Sequence, residues 1–244
     1  MTYIYEIDIA IANKSSTIEL TSQNMGTTGT GYLTRALENN TTVTSLILEW
    51  NNIGADGAEL LASMLANNST ITDLILEAND IGNEGVEYLS NALAKNSTIT
   101  SIHLTYENMR ASSVEYLAIA LSKNSTITTL DLGYNHIRSL GAKYLADMLA
   151  NNTTITSVNF GHNNIGPVGG KHLANMLANN TTITRLIIYG TNIPNSTEKY
   201  IDILITRNKQ YEKHKQPLKM FIAYSGLPLE LYDDLDYWVL LYCW

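Results

Sequence analysis

Ser101 and His103 stand two residues apart, and Asp131 follows His103 by 28 residues, so the chain holds the residue types of a nucleophile, a base and an orienting carboxylate. Residues two apart on a strand share a face, and a triad can be drawn through the three. Acyl transfer, however, also needs a strained nucleophile turn and donors aimed at an oxyanion. A flat strand array supplies neither, and offers no pocket. His103, His136 and His162 approach one another if neighbouring segments stack, but no Cys or paired-His spacing of a metal site accompanies them. Gly161-His162-Asn163-Asn164-Ile165-Gly166 lacks the spacing and the lysine of a phosphate loop. No catalytic group, metal or cofactor is expected, and the chain is not expected to be an enzyme.

A different set of residues suits another kind of chemistry. Trp50, Tyr106, Tyr134 and Tyr189, with His162 beside them, combine large apolar rings with a polar atom. Such groups anchor protein interfaces. Among them fall the carboxylates Glu49, Asp73, Glu77 and Asp131, the aliphatic Ile47, Ile75 and Ile187, and the polar His103 and Asn159. Aromatic rings next to carboxylates suit a protein partner with a basic patch, drawn in by charge and held by apolar contact. The formal net charge of -8 agrees with that partner. It argues against nucleic acid, which needs a basic stripe that this chain lacks.

These residues are positioned by a repeat. In Leu46-Ile47-Leu48-Glu49-Trp50-Asn51-Asn52-Ile53-Gly54 a period-2 pattern gives way to helical spacing at Ala58, Leu60, Leu61, Met64 and Leu65. Every 28 residues the pattern returns: Ile18/Leu20, Leu46/Leu48, Leu74/Leu76, Ile102/Leu104, Leu130/Leu132, Val158/Phe160 and Leu186/Ile188. A polar column follows at Gln23, Asn51, Asn79, Glu107, Asn135, Asn163 and Thr191, then an apolar one at Met25, Ile53, Ile81, Met109, Ile137, Ile165 and Ile193. Each unit is a strand, a turn and a helix, and none can bury its apolar face without a neighbour. The Asn column is placed to satisfy buried backbone groups of the turn. Leu60, Leu61 and Leu65 read as the helix face on the core, and Asn67-Asn68 as its end.

The pattern LxxLxLxxNxIGxxGxxxLxxxLxxN, over about residues 17 to 208, resembles a leucine-rich repeat of the ribonuclease-inhibitor type. The resemblance implies an α/β fold: a right-handed horseshoe of about seven 28-residue repeats, with a parallel sheet on the concave side and helices on the convex side. The unit keeps one length, where the namesake inhibitor alternates between two. It also implies that residues flanking the inward leucines face out of the sheet, which places Ile47, Glu49, Trp50, Asp73, Ile75, Glu77, His103, Tyr106, Asp131, Tyr134, Asn159, His162, Ile187 and Tyr189 on one partner-binding surface. At about 4.8 Å per strand that surface is roughly 30 Å long, sized for a protein and not for a small-molecule substrate. Occlusion of a partner enzyme's active site is one use the resemblance suggests. The Asn- and Thr-rich character is similar to repeat proteins that intracellular bacteria deliver into host cells.

The ends and one internal copy differ. Residues 3 to 12 alternate in the manner of a strand, so residues 1–16 read as a capping hairpin that covers the sheet edge. After Asn208 the register fails, and residues 209–244 read as a helical cap, with Pro217 and Pro228 as helix starts and Ser225-Gly226 as the first helix's end. Leu227-Pro228-Leu229-Glu230-Leu231 is similar to the start of an F-box and to the proline-leucine end of a SOCS box, which suggests the alternative of an adaptor recruiting ubiquitin machinery. In the fourth copy Glu107 replaces Asn, Arg110 replaces Gly and Ser113 replaces a second Gly. Glu107 and Arg110 are expected to pair across the turn, or to reshape the rim for a partner. The lone Cys243 forms no internal disulfide. With no basic leader and no apolar run near the roughly 20 residues of a membrane span, a cytoplasmic location is expected, in the producing cell or in a host. The Asn-x-Ser/Thr matches at Asn68, Asn96 and Asn124 then read as loop residues.

Overall fold

A computed structural model describes residues 2–225, with side chains to residue 213. Helix α1 (Thr2–Ala12) precedes seven strands, each followed by a helix. In order these are β1 (Thr17–Glu19), α2 (Gly26–Leu37), β2 (Ser45–Ile47), α3 (Gly54–Leu65), β3 (Asp73–Ile75), α4 (Gly82–Leu93), β4 (Ser101–His103) and α5 (Ala111–Leu121). They continue as β5 (Thr129–Asp131), α6 (Arg138–Leu149), β6 (Ser157–Asn159), α7 (Gly166–Asn179), β7 (Arg185–Ile187) and α8 (Asn195–Ser225). The strands form one parallel sheet in chain order, and every pairing joins residues 28 apart, as in Leu46↔Leu74. The solenoid expected from the 28-residue period is the observed fold.

The core is a set of columns. Leu46, Leu48, Ile53, Leu61, Leu65 and Ile71 of one unit are all fully buried, as are their counterparts Leu74, Leu76, Ile81, Leu89, Leu93 and Ile99 in the next. Leu60 does not join them, since it is one position off the buried stripe of Ala58, Leu61, Ala62 and Leu65. It lies instead beside Gly31 of the preceding helix.

Two asparagine ladders tie the units together. Asn51 is fully buried; its Nδ2 donates to the Leu20 and Leu48 carbonyls and its Oδ1 accepts the Gln23 N–H. Asn79, Asn135 and Asn163 repeat the arrangement. The second ladder closes each helix. Asn96 Nδ2 donates to the Leu65 and Asn68 carbonyls while its Oδ1 accepts the Thr98 and Ile99 N–H groups, and Asn124 and Asn180 do the same one and three units on. Asn96 and Asn124 head two of the Asn-x-Ser/Thr matches, and both are buried with their amide nitrogens engaged. A glycan there would displace these bonds.

The N-terminal cap is a helix and not half of a hairpin. Tyr3, Ile7 and Ile11 are four residues apart, a spacing that satisfies a strand face and a helix face alike. What decides is the packing: Ile7 is fully buried, Tyr3, Ala10 and Ile11 rest on the core, and Tyr5 and Ile9 between them are exposed. Tyr3 occupies the space beside Gly29 where a β-carbon would sit, and the Tyr32 hydroxyl donates to Asp8 at 2.6 Å. At the other end α8 runs through Pro217, where the sequence alone suggests a helix start. The helix is seeded upstream by Ile201, Leu204 and Ile205 on the core, and one proline removes a single hydrogen bond without dictating a new start. Arg207 donates to the Leu177, Ala178 and Asn180 carbonyls at the end of α7, and Asn208 to those of Asn180 and Ile183. The second helix of the cap, expected to start at Pro228, and the adaptor-like stretch lie outside the described residues. Among the described residues no helix is long and apolar enough to cross a membrane.

The fourth copy is resolved differently from expectation. Glu107 does not pair with Arg110. It is fully buried in the asparagine column, Oε1 accepting the Asn79 N–H at 3.0 Å and Oε2 the Ile81 N–H at 2.9 Å. Arg110 is exposed, takes an extended backbone conformation and donates its N–H to Asn83 Oδ1. The register leaves Glu107 no choice, because it occupies the inward rung between Asn79 and Asn135.

Candidate protein-binding face

Strands β1 to β6 each bury their middle residue and turn the two flanking ones outward, as in Ser45-Leu46-Ile47, and in β7 the middle Leu186 is half-buried. Ile47, Ile75, His103, Asp131, Asn159 and Ile187 therefore form one row across the sheet, in the order set by the pairing. Ile47 and Ile75 are adjacent, whereas Ile187 is separated from them by the polar centre of the row.

That centre is a bonded network. Asp131 accepts from the Thr105 hydroxyl, the Gly133 N–H and the Asn159 amide at about 3 Å each. Ser101 Oγ lies 3.2 Å from His103 Nε2, but His103 Nδ1 is 4.0 Å from Asp131. The bond that orients a catalytic base is thus missing, and the carboxylate is committed to three other donors. Asp73 is engaged by the Thr72 hydroxyl at 2.6 Å. Among the described residues no three His, Cys, Asp or Glu side chains are grouped to hold a metal ion.

Beyond the strands, a second row gathers the aromatics. Tyr106 and Tyr134 stack with ring centres 4.2 Å apart, Tyr134 and His162 stack at 4.2 Å, and Tyr189 closes the row edge-on to His162 at 4.8 Å. Trp50 occupies the same column two units earlier and is 56% exposed. Tyr189 belongs to the neighbouring column of Glu49 and Glu77. It reaches the row by crossing Gly161, where a β-carbon would be 3.1 Å from its ring. At Gly190 a β-carbon would stand 2.5 Å from His162 Nδ1, so the glycine makes room for that ring.

The backbone under this row is left-handed. Trp50, Tyr106, Tyr134 and His162 have φ of 58°, 59°, 54° and 56°. That conformation costs a residue with a β-carbon roughly 1–2 kcal/mol. Ser22 and Gly190 occupy the same column with small side chains, so the turn itself does not call for rings. Ala78, with φ of 56°, shares the conformation too, so the left-handed turn belongs to the repeat and the rings are an addition to it.

The charge on this face is negative. Glu77 has its carboxyl raised above the usual range, first by burial and then by Glu49 and Asp131. The rows bring together Trp50, Glu49, Glu77, Tyr106, Tyr134, His162 and Tyr189, as anticipated from the repeat. Two features were missed: the left-handed backbone, and Asp80, which joins Trp50, Tyr106, Tyr134 and His162 around a cavity of about 570 Å³. Asp80 sits in the rim column, where Asn52, Asn108, Asn164 and Asn192 mark the position as a turn.

The Leucine Rich repeat family matches residues 39–62, 67–90, 123–146 and 151–174. The interval between the second and third of these contains the fourth copy with Glu107, and the first and seventh copies also lie outside the matches. Comparison with curated proteins finds no match. Among solved structures the chain is similar to one described as Leiomodin-1 Actin-Binding Site 2 (ABS2), with a TM-score of 0.62 at 24% identity, over 69% of this chain and 96% of that one. At that identity the likeness is one of fold.

Proposed function

We propose that this array of leucine-rich repeats is a non-catalytic interaction protein that binds the surface of another protein through its sheet face, with the aromatic row as the anchor. The observation that carries the reading is that four bulky rings stand on left-handed backbone in a single column, Trp50, Tyr106 and His162 exposed and Tyr134 half-buried between its stacked neighbours. Exposed rings contribute to binding only when a partner takes them out of water. The flanking Glu49, Glu77, Asp80 and Asp131 favour a partner with a basic patch, recognised faster at low salt.

The neighbouring fold is described as an actin-binding site, which agrees with a protein partner in kind without naming this chain's own. The inhibitor-type and delivered-protein resemblances supply more specific candidates: an enzyme whose active site the face covers, or a host protein. Cross-linked capture from host and source lysates, wild type against a folded Trp50→Ala/Tyr134→Ala double variant, is the first test. A partner held by the wild type and lost by the variant is the expected outcome. With that partner purified, each single substitution should weaken binding by about 2 kcal/mol or more, some thirtyfold. Identical capture, or single-variant losses near zero, would exclude this face.

A further inference from the structure

The aromatic row has a missing rung. Along the column the side chains run Trp50, Ala78, Tyr106, Tyr134, His162, and from Tyr106 onward each ring stacks on the next at 4.2 Å. The residue between Trp50 and Tyr106 in this column is Ala78, whose side chain is a single methyl group. Its backbone does not explain the gap, because φ is 56°, against 58° and 59° for its two neighbours. Two strand spacings of about 4.8 Å separate the flanking positions, enough for a single planar group between two rings at stacking distance. Trp50, Ala78, Asp80 and Tyr106 line the same cavity.

Resting on the reading that the partner docks on this face, we infer that the gap at Ala78 is a receptor slot for one arginine side chain of that partner. A guanidinium is planar, stacks on aromatic faces and carries donors around its edge. Asp80 lines the cavity and supplies a carboxylate for that edge, while Glu77 and Glu49, next in sequence to Ala78 and Trp50 but outside the cavity lining, add negative charge nearby. Asp80 Oδ1 is oriented by the Asn108 amide at 2.7 Å. A lysine ammonium is not planar and leaves the second ring face uncovered, and an aromatic guest leaves the carboxylates without a counter-charge.

The test uses the full chain with Trp238 and Trp244 replaced by Phe, so that Trp50 is the only indole. N-acetyl-arginine methylamide is titrated at constant ionic strength while Trp50 fluorescence is followed, in parallel with the lysine and the neutral, isosteric citrulline analogues. The expected result is a saturable response to the arginine probe, at least tenfold weaker for the other two. Ala78→Tyr, which continues the row on the same left-handed backbone conformation that carries Tyr106 and Tyr134, should abolish it. Equal responses to arginine and citrulline in the unsubstituted slot overturn the inference without recourse to any variant, and so does a response that survives in folded Ala78→Tyr. The docking face is judged separately: a partner lost by Tyr134→Ala but bound undiminished by Ala78→Tyr keeps the face and removes the slot.

Discussion

Replacing Glu107 by glutamine is expected to stabilise the protein strongly at pH 8 and hardly at all at pH 4.5. Burial pushes the Glu107 carboxyl up from 4.5 to about 8; the N–H groups of Ile81 and Asn79 oppose this, and Asp80 and Glu77 add to it. The sign follows from linkage. Below pH 4.5 the folded and unfolded chains both hold the proton, and ionisation has no effect on stability. Between 4.5 and about 8 the unfolded chain has released the proton while the folded one retains it, so stability falls by about 1.4 kcal/mol per pH unit. Above about 8 the loss is complete, at roughly 4–5 kcal/mol. Glutamine cannot ionise, adds the amide donor that the asparagine rungs use, and has one oxygen to accept both N–H groups, as Asn51 Oδ1 does for Gln23 and Met25. Thermal unfolding across this pH range should show the variant's midpoint about 10 °C above the wild type at pH 8, the two converging at pH 4.5. Glu107→Asn, which restores the repeat's own residue, should follow the same course. Parallel pH profiles for wild type and both variants would mean that Glu107 is not the buried acid described.

Asn79→Ala, in the sheet-side ladder, should destabilise the protein by about 3–5 kcal/mol. The side chain is fully buried; it donates to the Leu48, Leu76 and Glu77 carbonyls and accepts the Asn51 and Ile53 N–H groups. Alanine would leave these backbone groups without that partner in a place water does not reach. Because units are stabilised by their neighbours, the break should spread to both adjacent repeats. The comparison is Asn52→Gly on the exposed rim, where Asn52 donates to Asn24 and glycine keeps the left-handed φ of 53°. That change should stay within about 0.5 kcal/mol. Urea unfolding of both variants checks the contrast, and similar losses would show that the buried ladder is not what joins the units.

The asparagine column illustrates how far residue spacing can be read. Its period placed Asn51, Asn79, Asn135 and Asn163 at one turn position, and buried backbone in a tight turn requires a side chain that both donates and accepts. The same register carried Glu107 inward, yet its charge suggested a surface pair with Arg110. Charge alone does not tell which side of a turn a residue faces; the neighbouring rungs do. At the N-terminus, Tyr3, Ile7 and Ile11 fit two periods at once, and only contact with Gly29 and the first repeat's core distinguishes helix from strand.

Residue order by itself determined the 28-residue unit, the parallel register, the inward leucines and isoleucines and the face to which Trp50, Tyr106, Tyr134 and Tyr189 belong, because apolar periodicity is a local property and identical units stack in only one way. The tertiary structure decided that Tyr106, Tyr134 and His162 stack ring on ring, that Ala78 leaves a space beside Trp50, and that Asp80 borders it. Those facts depend on backbone angles and ring orientations fixed by contacts between residues 28 apart, which exist only once one repeat has closed on the next.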